Sequence, residues 1–407
     1  MSGPGETTFT AGDGEGIAAV LSDVTYRNGV ELTVLDSAGD QIGSAIVVAP
    51  GGFVDTIALP GAGSYVARVT PNIPSQRGTF HLQLIHVPPD VTGEITPDAP
   101  PVAIANAVPG QNMRLTFHGT SGQRVSLSET NAGMKDGVTV SIRDPSDTTL
   151  SGRIVLPGPA FSDTTELRAD GTYTVFIDPG EQDVGSLTIV MHEVPPDVVA
   201  QTEPNAKPFT VTTTVPGQNA SFTFAGQAQQ RVSMSLTDIT VPTSVGVELD
   251  DSDGTRIDGL IVVPPEGFLD TVSLPRSGTY TMKLDPADDG TGSFTVALYD
   301  VPPDPVIPIA VNGPPKTVTT ASPGQNIVLQ IKGAPGTVFL HASDVSFPQG
   351  LTMQMLDATG KPVGTLSSIG KSGGEVQLTI DPTGLLVVRL DASEADVGHV
   401  TVSIKTP

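Results

Sequence analysis

The chain has no cysteine and no tryptophan. The first absence excludes disulfides, thiol catalysis, Fe–S clusters and Cys-ligated zinc. The second, with aromatics at only 4% of 407 residues, leaves little material for exposed ring platforms of the kind sugars stack on. Basic residues are also scarce: 20 Lys+Arg stand against 44 Asp+Glu, for a net charge of −24. Such a field repels phosphate backbones and anionic lipid surfaces, so neither nucleic acid nor a membrane face is expected as a partner. No apolar run approaches the ~18 residues that a membrane span needs. Met1-Ser2-Gly3-Pro4-Gly5 shows no basic or apolar region of a signal peptide. Together with the repeats described next, this suggests a mature form or a fragment of something longer.

What is present is Gly and Pro, 45 and 37 of them, among Thr, Ser and β-branched residues. That mixture suits turn-rich β structure and opposes long helices. Self-comparison is the most informative test. Val87-Pro88-Pro89-Asp90 returns at Val194-Pro195-Pro196-Asp197 and Val301-Pro302-Pro303-Asp304. Pro109-Gly110-Gln111-Asn112 returns at Pro216-Gly217-Gln218-Asn219 and Pro323-Gly324-Gln325-Asn326, in the same register of 107 residues. Tyr65, Tyr173 and Tyr280 recur, as do Phe53, Phe161 and Phe268, and Asp55, Asp163 and Asp270. The chain is therefore four copies of one unit. A period near 107 exceeds the roughly 20–50 residues of solenoid repeats and suits a whole β-sandwich.

The third copy supplies the strand reading: 209–215, 219–225, 230–236, 245–249, 257–263, 268–274, 280–284 and 294–298, several alternating with period two. The expected fold is all-β: four tandem antiparallel β-sandwich domains, jelly-roll or Ig-like, at 1–90, 101–197, 208–304 and 315–407. Segments 91–101, 198–208 and 305–315 are rich in Pro and read as semi-rigid linkers. Copy one lacks a first strand before Phe9, which would leave an open sheet edge for self-association by strand addition. The recurring tyrosines, each opening a strand after a glycine, are expected to bury their rings and bond backbone through their hydroxyls.

The order PGQN, GxxGQRVSLS at 119–128, a hairpin turn, GTYT, DP and VPPD resembles the tandem β-sandwich repeats of large secreted bacterial proteins. It is similar to bacterial pre-peptidase C-terminal-type domains, arrays of which occur in RHS/YD-repeat and adhesin-like proteins. The resemblance covers nearly the whole chain. It implies an extracellular or cell-surface, non-catalytic spacer, or an interaction module for a protein or glycan ligand.

One acidic loop recurs after the tyrosine strand: Asp178, Glu181 and Asp183; Asp285, Asp288 and Asp289; Asp391, Glu394 and Asp396. Oxygen ligands at short spacing suit Ca²⁺, the one cofactor this pattern suggests. The competing reading is a solvated surface turn, which Thr70, Asn72 and Gln76 at the same place in copy one favour. Asp250, Asp251, Asp253 and Asp258 lack EF-hand spacing and read as a hairpin turn, as do the parallel runs 36–39, 144–147 and 357–360. Gly370-Lys371-Ser372-Gly373-Gly374 fits G-x-S-x-G, but a nucleophile elbow needs a following helix, and 376–380 alternates as a strand. The six histidines do not recur in register. No enzyme is expected.

Overall fold

The computed structural model describes residues 5–357 and 360–407, and every regular element among them is a strand. The start of the N-terminal run, Met1–Pro4, and the centre of the expected 357–360 turn lie outside the described residues. Chain contacts divide the molecule into two units, Met1–Pro195 and Pro196–Pro407, each holding two repeats.

In the second unit, the eight strands read from the third copy all form: Phe209–Thr213, Ala220–Gly226, Arg231–Thr237, Val245–Asp250, Arg256–Val262, Gly267–Ser273, Gly278–Pro286 and Gly292–Asp300. Period-two alternation decides which side of each strand is buried. Phe222 and Phe224 on one sheet meet Phe294 and Val296 of the other in a single core. Ser233 breaks the pattern: it is 1% exposed although it points away from that core. Its hydroxyl donates to the Pro323 carbonyl of the next repeat at 2.8 Å. The Asp251 turn forms as read, with one carboxylate oxygen accepting the N–H groups of Asp253 and Thr255.

The linker reading is corrected. Segment 198–208 contributes the strand Val198–Gln201, which pairs parallel with Ala220–Gly226 at the edge of a five-stranded sheet. Val306–Ala310 enters the fourth repeat in the same way, parallel to Ile327–Lys332. In the first unit, Val91–Glu94 lies parallel to Met113–Gly119. These stretches are parts of sheets, not spacers. Proline did not prevent this because an edge strand needs N–H groups on one side only.

The expectation of four discrete β-sandwich domains is corrected with it. The structure reads instead as a β-solenoid of about 11 turns. Its ladders depart from the usual solenoid: pairs within a repeat are antiparallel, and parallel ladders occur where the three entering strands join their sheets. Each repeat contributes two sheets. In the first unit's second repeat these hold five and four strands, whereas in its first repeat they hold four and three. The first repeat thus shows, among the described residues, no counterpart of Val91–Glu94 or of Val102–Ala105.

The tyrosines do what their register implies. Tyr65, Tyr173 and Tyr280 are buried and donate from their hydroxyls to the carbonyls of Gly61, Ala169 and Arg276, four residues back, at 2.5, 2.8 and 2.6 Å. Each ring stacks on the phenylalanine directly across the ladder, Phe9, Phe117 or Phe224, at 5.5–5.6 Å. The fourth repeat replaces the pair by Leu386 opposite Ile331. Tyr173→Phe keeps the stack and removes the donor, so it is expected to lower unfolding free energy by about 1 kcal/mol. Tyr173→Leu should cost more, and urea titration separates the two.

Candidate functional site: the repeat junctions

The most regular polar chemistry in the molecule lies where one repeat hands the chain to the next. Val87, Val194 and Val301 anchor the VPPD runs in their cores. The two prolines that follow have carbonyls to satisfy and no N–H to give. A glutamine supplies the missing donor each time. Gln111 Nε2 donates to the Pro89 carbonyl at 2.9 Å, and its Oε1 accepts the Ala107 N–H at 2.8 Å. Gln218 does the same for Pro196 and Thr214, both at 2.9 Å. Gln325 serves Pro303 and Ala321, at 2.8 and 2.6 Å. All three glutamines are buried. The aspartate that closes each run is engaged too: Asp90 by Arg114 Nε at 2.6 Å, and Asp304 by Arg231 Nη2 at 2.8 Å and the Asn326 N–H at 3.0 Å.

The glutamine sits at the end of a tight turn. Val108-Pro109-Gly110-Gln111 closes with Gln111 N–H on the Val108 carbonyl, and Gly110 has φ +79°. Proline then glycine at positive φ is the signature of a type II turn. In the first unit this turn rests on the preceding repeat. Thr56 Oγ1 donates to the Gly110 carbonyl at 2.7 Å. A Cβ on Gly110 would stand 2.6 Å from that Oγ1. In the second unit Thr271 Oγ1 donates to the Gly324 carbonyl at 2.6 Å. The aspartate before each threonine accepts that threonine's own N–H: Asp55 at 2.7 Å, Asp163 and Asp270 at 2.6 Å. Within each unit, then, the Asp-Thr pair of one repeat and the PGQN turn of the next are two halves of one latch: Asp55-Thr56 with 109–112, and Asp270-Thr271 with 323–326. The sequence showed both motifs, but nothing in it said that they meet. Gln325→Ala strips the latch of one donor and one acceptor. It should cost about 2–3 kcal/mol by leaving the Ala321 N–H and Pro303 carbonyl unpaired, read by denaturant melts of the full chain.

The acids of the expected calcium loops divide between strand ends and turns. Asp178, Asp285 and Asp391 belong to strands, in Gly171–Pro179, Gly278–Pro286 and Leu385–Ala392. Glu181, Asp288 and Glu394 sit at left-handed turn positions, φ 49–53°, and Asp289 is exposed beside Asp288. Asp183 is 3% exposed and accepts the Asp136 N–H at 2.6 Å. Asp396 accepts the Gln349 N–H at 2.8 Å. Among the described residues no three Asp, Glu or His side chains gather as a metal site. Ser372 lies in a turn that leads into the strand Gly374–Ile380, with no helix after it.

A different acidic grouping, made across the joints, was not legible. Burial, and then the neighbouring charges of Asp55 and Asp90, push the Asp178 carboxyl up to about 6, against the pull of Arg143. Asp391 is pushed up to about 6 by burial and by Asp270 and Asp304, against Arg389. The amide oxygens of Asn112, Asn219 and Asn326, which end the three PGQN turns, are buried without a hydrogen-bond partner. A carboxyl whose folded pKa exceeds its unfolded value of 3.8 binds its proton more tightly in the folded state. Its burden on stability is thus absent near pH 4 and grows as pH rises through about 6. In EDTA, Asp391→Asn should raise the melting temperature at pH 7.5 and leave it unchanged at pH 4. An equal shift at both pH values would contradict the account of a buried carboxyl with a raised pKa.

No family model matches the chain, and no curated protein does. Solved structures give distant likenesses. Tripeptidyl peptidase 2 aligns with 98% of this chain at 9% identity and a TM-score of 0.20; the chain spans 33% of that protein's length. The turret protein of an archaeal virus, a triple jelly roll, aligns with 79% of this chain and 86% of its own at 11% identity and a TM-score of 0.15. A β-glucuronidase of Bacteroides uniformis covers 99% and 94%, at 7% identity and 0.18. Likenesses this distant fix neither a family nor an activity.

Proposed function

We propose that the chain is a structural, non-catalytic array of a larger secreted or surface protein, whose repeats are locked in series to hold other parts at fixed separation. The observation that carries this reading is the use of the recurring polar residues. Gln111, Gln325, Thr56 and Thr271 direct their side chains to backbone groups at the joints. Side chains so engaged set geometry and are not presented to a substrate. The secreted setting follows from the resemblance to tandem repeats of secreted bacterial proteins.

The absence of cysteine makes the test clean, because two introduced thiols give two unique spin labels. Ala38→Cys and Thr149→Cys place them on exposed turn and strand-edge positions of the first and second repeats. Double electron–electron resonance on the full chain should give one narrow distance distribution. Adding Thr56→Val and Gln111→Ala should broaden it. A broad distribution before those changes would overturn the locked-joint reading.

A further inference from the structure

The second repeat differs from its neighbours at one corner of its core. Ladder positions identify the equivalents. Glu129 stands where the first and third repeats have Leu21 and Leu236. Ser162 replaces Val54 and Leu269, and Thr165 replaces Ile57 and Val272. Arg153 replaces Ala45 and Leu260. Four hydrocarbon positions have become polar together, in one repeat and at one place.

Three of them, Arg153, Ser162 and Thr165, with Glu129 bonded to Ser162, line a cavity of about 240 Å³ where the strands Thr149–Val155 and Gly158–Glu166 approach each other. Its wall carries Ser141, Ser151, Ser162, Thr165 and Arg153, with Leu127 beneath. Thr165 Oγ1 donates to Ser151 Oγ at 2.7 Å. Ser162 Oγ donates to Glu129 Oε1 at 2.6 Å, while Glu129 Oε2 is buried without a partner. Glu129 is 2% exposed. Burial raises its pKa, and the two side chains that oppose this, Ser162 and Arg153, both belong to the cavity wall.

A buried carboxyl in place of a leucine costs several kcal/mol unless it is fully paired. A repeat that only filled its core would keep the leucine, as the two neighbouring repeats do. We infer that this cavity is a binding site for a small polyhydroxylated ligand, of the size of one sugar ring. Hydroxyl groups both donate and accept, which suits a wall of serine and threonine hydroxyls that also holds the Asp163 carboxylate and the Arg153 guanidinium, with Glu129 behind Ser162. The volume lies below the roughly 300–1,000 Å³ of drug-sized pockets, which limits the occupant to a single ring. Every residue of the cavity's lining belongs to the second repeat, Asp163 and Thr164 among them.

Saturation-transfer difference NMR tests it, using the full chain with millimolar methyl α-D-glucopyranoside, methyl β-D-galactopyranoside and methyl α-D-mannopyranoside, and methylammonium as a charged control. At least one glycoside should receive saturation. Glu129→Leu with Ser162→Leu installs the pair that the third repeat carries; it should raise the melting temperature and abolish the transfer. Arg153→Ala, on the exposed rim, should weaken binding about tenfold with the core intact. Saturation of no glycoside, equal saturation in the double-leucine variant, or binding of methylammonium alone would overturn the assignment.

Discussion

Two consecutive prolines at every handover impose the constraint on which the rest depends. A proline offers a carbonyl and no N–H, so a Pro-Pro run that is taken into the structure must import its donors. The glutamine of PGQN is that import. Its amide donates to the proline carbonyl and accepts a backbone N–H at once. The type II turn holds the glutamine in place, and within each unit Gly110 and Gly324, at positive φ, let Thr56 and Thr271 of the preceding repeat approach their carbonyls. Remove the glutamine, and both the turn and the entering parallel strand lose a fixed point.

The joints also concentrate charge. Asp178 and Asp391 are buried within reach of the charges of carboxylates contributed by the preceding repeat and by the VPPD run. In a chain of net charge −24 this is a local cost within a repulsive whole. Arginines temper it: Arg114 pairs with Asp90, and Arg231 with Asp304. Away from the joints the repeats vary freely. The Phe–Tyr stack becomes a leucine contact in the fourth, and a hydrocarbon corner becomes a polar cavity in the second. One device is kept at the joints while the cores diverge.

The local features were legible because they are written in short windows. Alternation located all eight expected strands of the third copy, the Asp251 turn formed as its composition implied, and the glycine-tyrosine pairs marked buried rings with hydroxyls bonded four residues back. The solenoid reading and the incorporation of the Pro-rich stretches were not legible. Val91–Glu94, Val198–Gln201 and Val306–Ala310 are four or five residues long and pair parallel, so no hairpin turn announces them. Residues close in sequence were also misleading about the acids. Asp178 lies at the end of a strand and Glu181 stands at a left-handed turn position, whereas the charge of Asp55 from the repeat before bears on Asp178. The corner around Glu129 needed the ladder register to show that four scattered polar residues are equivalent to four apolar ones.

The central claim is that the glutamine-held turns are part of the folded frame and not loops laid over it. Native-state hydrogen exchange at Ala107 and Ala321, whose N–H groups are held by Gln111 and Gln325, measures this directly. The account predicts exchange as slow as that of the core-strand amides, with opening only in cooperative unfolding of the repeat. Exchange as fast as at the exposed turn glycine Gly39 would contradict it.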